Sequence, residues 1–410
     1  MKKINKIIGG VLILAGTVVG AGMLALPIVC SGMGFVVAAI MLAVICSLMI
    51  ITGLLTLEVN LAFKLHRNNL VTMSEATLGR GGKIISWIVT LLLLYALASA
   101  YISGNASLLK FSIQEHTSFN LPDYLIKFLV AALLGGIVCW STSAVDCFNR
   151  SFLSVKGILF ILVVSMIAPR VNFAQLINSG SSIYIAASVP ILIAAFGFHP
   201  TIPSVTNYVG IRPKALIWII VLGALIPLFM YLAWIFAMLG VVPITGKHGF
   251  ASFANQVNSF DLMLISVSRV VSNHFVSACI NGFSYVAMTT SFLGVTLGLF
   301  DFLADGFDRS NSVSGRLQTG ALTFLPPLMF TIFYPNGFAC VLGYAAFFAA
   351  ILVIIMPALM AYKLRKSKKI ISPIRVFGGT WLLVAMVLAG VSVMVFEVLL
   401  ILHKLPVFGA

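Results

Sequence analysis

Residues Gly16 to Pro27 read GTVVGAGMLALP, and they lie inside the first long apolar stretch of the chain, residues 7–29. About 20 apolar residues are enough to cross a bilayer as a helix. Glycine and proline, however, destabilise a helix interior by about 1 and 3 kcal/mol relative to alanine. In hydrocarbon, an irregular backbone persists only where it lines a cavity inside the protein. We therefore predict a spanning helix that is broken near Gly20 and helps to form a binding site for a small polar molecule.

The composition is that of an integral membrane protein. Apolar residues make up 61% of the 410-residue chain and charged residues only 9%, whereas charged residues account for about 25% of a soluble domain. This argues against a large soluble enzyme. The net charge of +15 does not indicate nucleic acid binding, because the basic residues lie in short gaps between apolar stretches. The six cysteines form no CxxC pair, so we predict neither a disulfide framework nor a metal site.

The apolar stretches predict an all-α integral membrane protein with about eleven transmembrane helices. The predicted spans are 7–29, 35–60, 84–109, 124–144, 151–169, 183–206, 215–242, 275–300, 317–334, 338–362 and 376–402. The basic start of the chain resembles a signal peptide, but the apolar character continues to Val29, so we interpret it as an uncleaved first span.

The basic residues also predict the orientation. Most of the 25 lysines and arginines lie in gaps that are cytoplasmic if the N-terminus is cytoplasmic, which places the C-terminus in the periplasm. The longest gap, residues 243–274, then faces outside. Its apolar side chains suggest that it packs on the bundle or acts as a thin lid, and a solvated loop is the alternative.

Span six repeats the pattern of span one. In AAFGFHPTIPS, Ala194 to Ser204, Gly197 interrupts an apolar run that has prolines on both sides. Five spans separate Gly197 from Gly20, so the two segments cross in opposite directions, which is typical of a 5+5 inverted repeat with broken helices 1 and 6. The alternative is chance, because glycine and proline are common in membrane helices. Within one membrane transport domain, we assign residues 1–170 to the first repeat, 171–370 to the second and 371–410 to an extra C-terminal helix.

Two facing breaks have a defined chemistry. The free N–H groups at a helix break carry the positive end of a helix dipole and suit a carboxylate. The free carbonyl groups suit a cation or an ammonium group. A small amino acid carries both charges on one carbon atom, so it fits between two such breaks.

Polar residues within the spans supply further candidates, each with a structural alternative. Tyr95 and Ser99 share a helix face, and we predict Tyr95 as a cavity residue. Tyr101 points elsewhere, and its ring either stacks on an aromatic substrate or anchors the helix at an interface. His199 either titrates or bonds a freed carbonyl. Lys156, one turn into span five, either carries a proton or extends to water. Hydroxyl groups of span eight either bind an ion or substrate or hold helices together. The candidate substrate-binding residues are Thr17, Gly20, Ala21, Gly22, Tyr95, Ser99, Tyr101, Phe196, Gly197, Phe198, His199, Asn281 and Tyr285, and the candidate proton-coupling residues are Lys156, Thr289 and Thr290.

Motifs of energy-coupling and hydrolytic enzymes are missing from the sequence. It contains no GxxxxGK[ST], HExxH or GxSxG pattern. We therefore predict that the chain is not an enzyme, that it needs no cofactor beyond a coupling proton, and that any transport runs on a gradient. The predicted partners are a small-molecule substrate and the lipid bilayer, with no nucleic acid and no obligatory protein partner.

The same segments resemble a known family. GTVVGAGMLALP, FGFHPTIPS (196–204), GLFDFLADGF (298–307) and STSAVDCFNR (141–150) with the following VKGILF are similar to motifs of the aromatic amino acid permeases. These are the bacterial tyrosine and tryptophan carriers of the amino acid–polyamine–organocation superfamily. The resemblance covers almost the whole chain.

The resemblance implies a leucine-transporter-type fold, proton symport and uptake across the bacterial inner membrane. It implies that Gly20, Ala21 and Gly22 lie by the substrate carboxylate and that residues 196–198 line the side-chain pocket. It also implies that Lys156, which matches a lysine of relatives by local sequence, lies near a vacant sodium position and acts as a proton switch. We thus expect import of tyrosine, tryptophan or both by alternating access. The alternatives are an amino acid exchanger or exporter, and a receptor that binds an amino acid without moving it.

Overall fold

The computed structural model describes residues 2–409 apart from 64–68, 117–120, 179, 255, 257–258, 272–273, 310–311, 336–337 and 368–370. Over these residues the chain forms sixteen α-helices and no strand. The helices are α1 (Lys2–Val18), α2 (Gly22–Cys30), α3 (Gly34–Ala62), α4 (Leu70–His116), α5 (Asp123–Trp140), α6 (Thr142–Ile167), α7 (Phe173–Asn178), α8 (Ile185–Ala195), α9 (Ile202–Val209), α10 (Pro213–Val241), α11 (Ser259–Val271), α12 (His274–Gly306), α13 (Val313–Phe333), α14 (Phe338–Ala349), α15 (Met356–Ser367) and α16 (Gly379–Ile401). A π-helical segment, Ala350–Ile355, joins α14 to α15.

Each predicted span corresponds to helix. Among the described residues, eight helical segments are long and apolar enough to cross a membrane, and the bent pair of α1 and α2 gives a ninth. The two remaining predicted spans coincide with α6, which is 26 residues long, and α13, which is 21 residues long. Pro326 and Pro327 lie inside α13, yet the helix continues through them to Phe333. The all-helical membrane fold is therefore confirmed, although fewer than eleven helices are both long and strongly apolar.

The outer surface of the bundle is apolar. Large side chains such as Ile40, Trp218, Phe229 and Leu388 are between 58% and 66% exposed. A soluble protein rarely presents so many large apolar groups on its surface. Helices that are apolar on every side are typical of a bundle surrounded by lipid, and this accounts for the exposed faces of α3, α10 and α16.

The long connection 243–274 packs on the bundle. It contains the helix α11, whose 13 residues are too few to span a membrane. Phe250, Phe253, Phe260 and Leu264 are all buried. The prediction that this segment covers the bundle is therefore confirmed for the residues that the structure describes, and the solvated loop is not what forms.

Candidate functional site

The first span is broken at its centre, as predicted. Helix α1 ends at Val18, α2 begins at Gly22, and the two helices are bent by 54°. The peptide groups between them are bound by other helices. Lys156 on α6 donates from Nζ to the carbonyl oxygen of Val19 over 2.6 Å, and Ser291 on α12 accepts a hydrogen bond from the Ala21 N–H over 2.9 Å.

The sixth span is broken at the corresponding place. Helix α8 ends at Ala195, and α9 begins only at Ile202 after a short 3-10 turn, His199–Thr201. Between them, the Phe198 N–H donates to the carbonyl oxygen of Phe196 over 2.9 Å. Gly197 is exposed while Phe196 and Phe198 are fully buried. Gly197 is thus an exposed residue between two residues whose rings are buried.

The two breaks lie against one another. A Cβ atom built on Gly22 would lie 3.3 Å from the Ala195 Cα, so only a glycine permits this approach without a shift. Tyr231 on α10 connects both breaks, because its hydroxyl lies 2.8 Å from the Val18 carbonyl oxygen and 2.7 Å from that of Ala195. Its ring also packs edge-on against Phe196 at 5.0 Å between centroids.

Tyr231 is missed by the sequence analysis, although one signal was present. It is the single hydroxyl-bearing residue of the 29-residue helix α10. An isolated hydroxyl in an otherwise apolar span needs a buried acceptor. The residue is fully buried, and its one hydroxyl proton serves the last carbonyl group of α1 or of α8. It therefore holds together the C-terminal ends of two half-helices.

Comparison with known proteins identifies the family. Residues 3–397 match the tryptophan/tyrosine permease family. The chain belongs to this family. A tryptophan-specific transport protein of Pseudomonas aeruginosa is 36% identical to this permease over 408 residues, covering 98% of this chain and 96% of the relative. The tyrosine-specific transport system 1 of Haemophilus influenzae is 33% identical over 392 residues, covering 95% of this chain and 96% of the relative.

Solved structures support the same fold. Mhp1, a nucleobase-cation-symport-1 family transporter in a closed conformation with bromovinylhydantoin bound, aligns with a TM-score of 0.62 at 13% identity, over 97% of this chain and 92% of its own. A manganese transporter mutant of Eremococcus coleocola aligns with a TM-score of 0.64 at 12% identity, over 96% of this chain and 85% of its own. The leucine-transporter-type fold with broken helices 1 and 6 is thereby confirmed. Its family membership makes the permease a transporter rather than an enzyme.

Several predicted site residues lie at or beside the breaks of the permease. These are Gly20, Ala21, Gly22, Phe196, Gly197, Phe198 and Lys156. Thr17, by contrast, is exposed and donates to the carbonyl oxygen of Ile13 in its own helix. His199 turns toward α3, where its Nε2 lies 2.9 Å from the Thr52 hydroxyl. Phe198 stacks on the His199 ring. The partner of His199 is therefore a side-chain hydroxyl rather than the freed carbonyl group of the structural alternative, and its role in binding stays a prediction.

The candidates of span three lie on α4. Tyr95 donates its hydroxyl to the carbonyl oxygen of Leu322 on α13 over 2.8 Å. Ser99 donates to the Tyr95 carbonyl oxygen and faces that of Pro327, also on α13. Tyr101 is buried with its ring 6.4 Å from that of Phe338. Tyr95 and Ser99 therefore join α4 to α13, and their role in binding stays a prediction.

The candidates of span eight lie on α12. Tyr285 donates to the Leu108 carbonyl oxygen of α4, and Thr289 donates to Asn105 Oδ1 over 3.1 Å. Thr290 bonds the Val286 carbonyl oxygen within its own helix. The Oδ1 atom of Asn281 is buried and has no hydrogen-bond partner among the described residues. Tyr285 and Thr289 thus hold α12 to α4, and Ser291 is the α12 residue that touches the break.

We expect Gly20→Ala to reduce transport by about 10- to 100-fold, because overpacking a tight site costs about 1–3 kcal/mol. The new Cβ would lie 2.5 Å from the Ser291 hydroxyl oxygen. Adding Ser291→Ala to the same protein is expected to restore part of the loss, since the Ser291 Cβ lies at an ordinary 3.6 Å. Uptake by the two single variants and the double variant measures this coupling. Strictly additive losses would contradict the contact.

A charged cavity of about 300 Å³ lies where α11 covers the bundle. Lys110, Asp123, Lys127 and Asp261 all line it. Lys110 and Asp123 form an exposed ion pair of 2.6 Å. Burial raises the pKa of the Asp261 carboxyl to about 7, although Lys110 and a hydrogen bond to Ser107 act in the opposite direction. This carboxyl is therefore partly protonated near neutral pH.

The raised pKa of Asp261 predicts a pH-dependent stability. The folded protein binds this proton more tightly than the unfolded chain does, so the stability from Asp261 is present in acid and is lost as the pH rises through about 7. We expect Asp261→Asn to unfold at a higher temperature than the parent protein at pH 8, with a smaller difference at pH 4.5. Thermal unfolding in detergent at both pH values measures this, with Glu75→Gln as the control. An equal difference at both pH values would contradict it.

Proposed function

We propose that this permease imports tryptophan, tyrosine or both across the bacterial inner membrane by proton symport. The named relatives, a tryptophan-specific transport protein and a tyrosine-specific transport system, support this class of substrate. In this proposal the N-terminus is cytoplasmic and the C-terminus periplasmic, which the distribution of basic residues supports. Residues 1–170 and 171–370 form the two repeats that rock against one another, and residues 371–410 add a peripheral helix.

The observation that carries the proposal is the contact between the two breaks at Gly22 and Ala195. The start of α2 carries the positive end of a helix dipole, and the Gly22 N–H there binds the substrate carboxylate. Carbonyl groups at the ends of α1 and α8 lie close by and accept hydrogen bonds from the ammonium group. The open backbone at Gly197 between buried Phe196 and Phe198 suits an aromatic side chain.

Lys156 is proposed to carry the coupling proton. Its Nζ contacts the Val19 carbonyl oxygen at the first break, so its charge acts on the same peptide segment that holds the substrate. Only 6% of the residue is exposed, and a buried lysine in a membrane span is usually functional. In this proposal, a gain or loss of the proton at Nζ changes how firmly the segment Val19–Ala21 is held.

Uptake into proteoliposomes tests the proposal. Labelled tryptophan and tyrosine are supplied to the purified protein with a proton gradient or a sodium gradient imposed separately. Accumulation is expected with the acid side outside and should collapse with a protonophore. Counterflow that does not depend on protons would instead indicate an exchanger or exporter. Saturable binding without accumulation would indicate a receptor.

A further inference from the structure

A second cavity, of about 480 Å³, lies between α2, α8, α14 and α16. We refer to it as the α16 cavity. Its walls include Ser188, Tyr184, Tyr344, Glu397 and Phe408. None of its lining residues belongs to the breaks at Val19–Ala21 and Phe196–Phe198. The α16 cavity is therefore separate from the proposed transport site, and its volume is in the range of small-molecule sites.

The most unusual group in the α16 cavity is a buried carboxylate. Glu397 on α16 is 3% exposed, and its Oε2 atom has no hydrogen-bond partner among the described residues. A Cβ atom on Gly343 of α14 would lie 2.9 Å from Oε1 and 3.1 Å from Oε2. Only a glycine at this position leaves room for the carboxylate to point into the space between α14 and α16.

Among the residues that the structure describes, none supplies a strong cation to this carboxylate. No lysine or arginine is among the described residues that line the cavity, and His403, its one basic lining residue, is exposed. A buried carboxylate without a partner is destabilising, so it is retained only with a proton or with a cation from outside. The wall of the cavity reaches the C-terminal end of α16 at Leu400 and Ile401, and Ile401 is exposed.

Aromatic rings surround the same space. The rings of Tyr184 and Phe408 pack edge-on at 5.4 Å, and Tyr344 lines the α16 cavity from α14. Aromatic faces attract organic cations, and apolar walls hold the body of a ligand. A zwitterion fits less well, because the cavity offers its carboxylate no lysine or arginine.

We propose that the α16 cavity binds a primary organic ammonium group, which pairs with Glu397 while the attached apolar body lies against Tyr184 and Tyr344. A ligand there contacts α2 and α8, one half of each broken span, and joins them to α14 and α16. Given the proposed function, such a ligand restrains the half-helices that must move during transport. It therefore inhibits uptake without competing with the substrate.

Two kinds of molecule in a cell carry a primary ammonium group of this type: a free aromatic amine, and a membrane lipid with an ethanolamine headgroup. The first is tested with tryptamine and protein in phosphatidylcholine nanodiscs. Tryptamine is expected to raise the unfolding temperature of the parent protein and of the control Glu75→Gln, a surface carboxylate whose side chain is 46% exposed. The shift should be lost in Glu397→Gln. It should also shrink in Gly343→Ala, which displaces the carboxylate without removing it.

The lipid is tested without tryptamine, by comparing nanodiscs that contain phosphatidylethanolamine with those of phosphatidylcholine alone. Stabilisation by ethanolamine lipid that disappears in Glu397→Gln supports the site with a lipid as its ligand. If neither tryptamine nor ethanolamine lipid stabilises the parent protein more than Glu397→Gln, the proposal is overturned. These readouts need no transport, so a failure of the proposed function leaves them intact.

Discussion

Replacing Lys156 by alanine is expected to abolish proton-driven accumulation of tryptophan or tyrosine, while exchange across the membrane remains measurable. The substitution removes the hydrogen bond from Nζ to the Val19 carbonyl oxygen. A hydrogen bond from a charged group contributes about 1.5–3 kcal/mol, which corresponds to about 10- to 100-fold in an equilibrium or a rate. The loss of the titrating group also uncouples substrate transport from the proton gradient. The internal substrate concentration should therefore rise only to the external concentration. Uptake with and without an imposed proton gradient measures both effects.

Lys127 offers a matched control for this experiment. It is also a buried lysine in a spanning helix, and its Nζ also donates to a backbone carbonyl oxygen, that of Thr331, over 2.7 Å. This carbonyl partner belongs to α13 and not to either break. Lys127→Ala should therefore keep proton-driven accumulation. Driven uptake that survives in Lys156→Ala, or that is lost equally in both variants, would contradict the assigned role of Lys156.

The breaks could be predicted from the sequence because their cause is local. Gly16, Gly20 and Gly22 weaken one helix, and Gly197 with nearby prolines weakens another, whatever the rest of the chain does. The importance of Lys156 could also be predicted from the sequence, because a lysine within an apolar run is unfavourable in a membrane unless it has a partner. The partner itself, the Val19 carbonyl group, could not be read from spacing, since it is 137 residues away in the chain.

The face of each helix that points toward the site could not be predicted from the sequence in the same way. In a soluble helix a polar face indicates the direction of the core, but α4, α10 and α12 are surrounded by lipid and protein and are apolar on most sides. The sequence predicts Tyr95 and Tyr285 as site residues, and in the structure their hydroxyls donate to carbonyl groups of α13 and α4. Tyr231 and Ser291, which do touch the breaks, carry the same chemical groups and differ only in where tertiary packing places them.

Tyr231→Phe is expected to reduce transport by about 10- to 100-fold, because a buried carbonyl group that loses its donor costs about 1–3 kcal/mol. The change keeps the ring that packs on Phe196 and removes only the hydroxyl shared by the Val18 and Ala195 carbonyl groups. Uptake kinetics and thermal unfolding are compared with those of Tyr124→Phe, which removes a hydroxyl from an exposed residue of α5. If the two variants behaved alike, the two breaks would not depend on Tyr231, and another contact would have to hold the ends of α1 and α8 together.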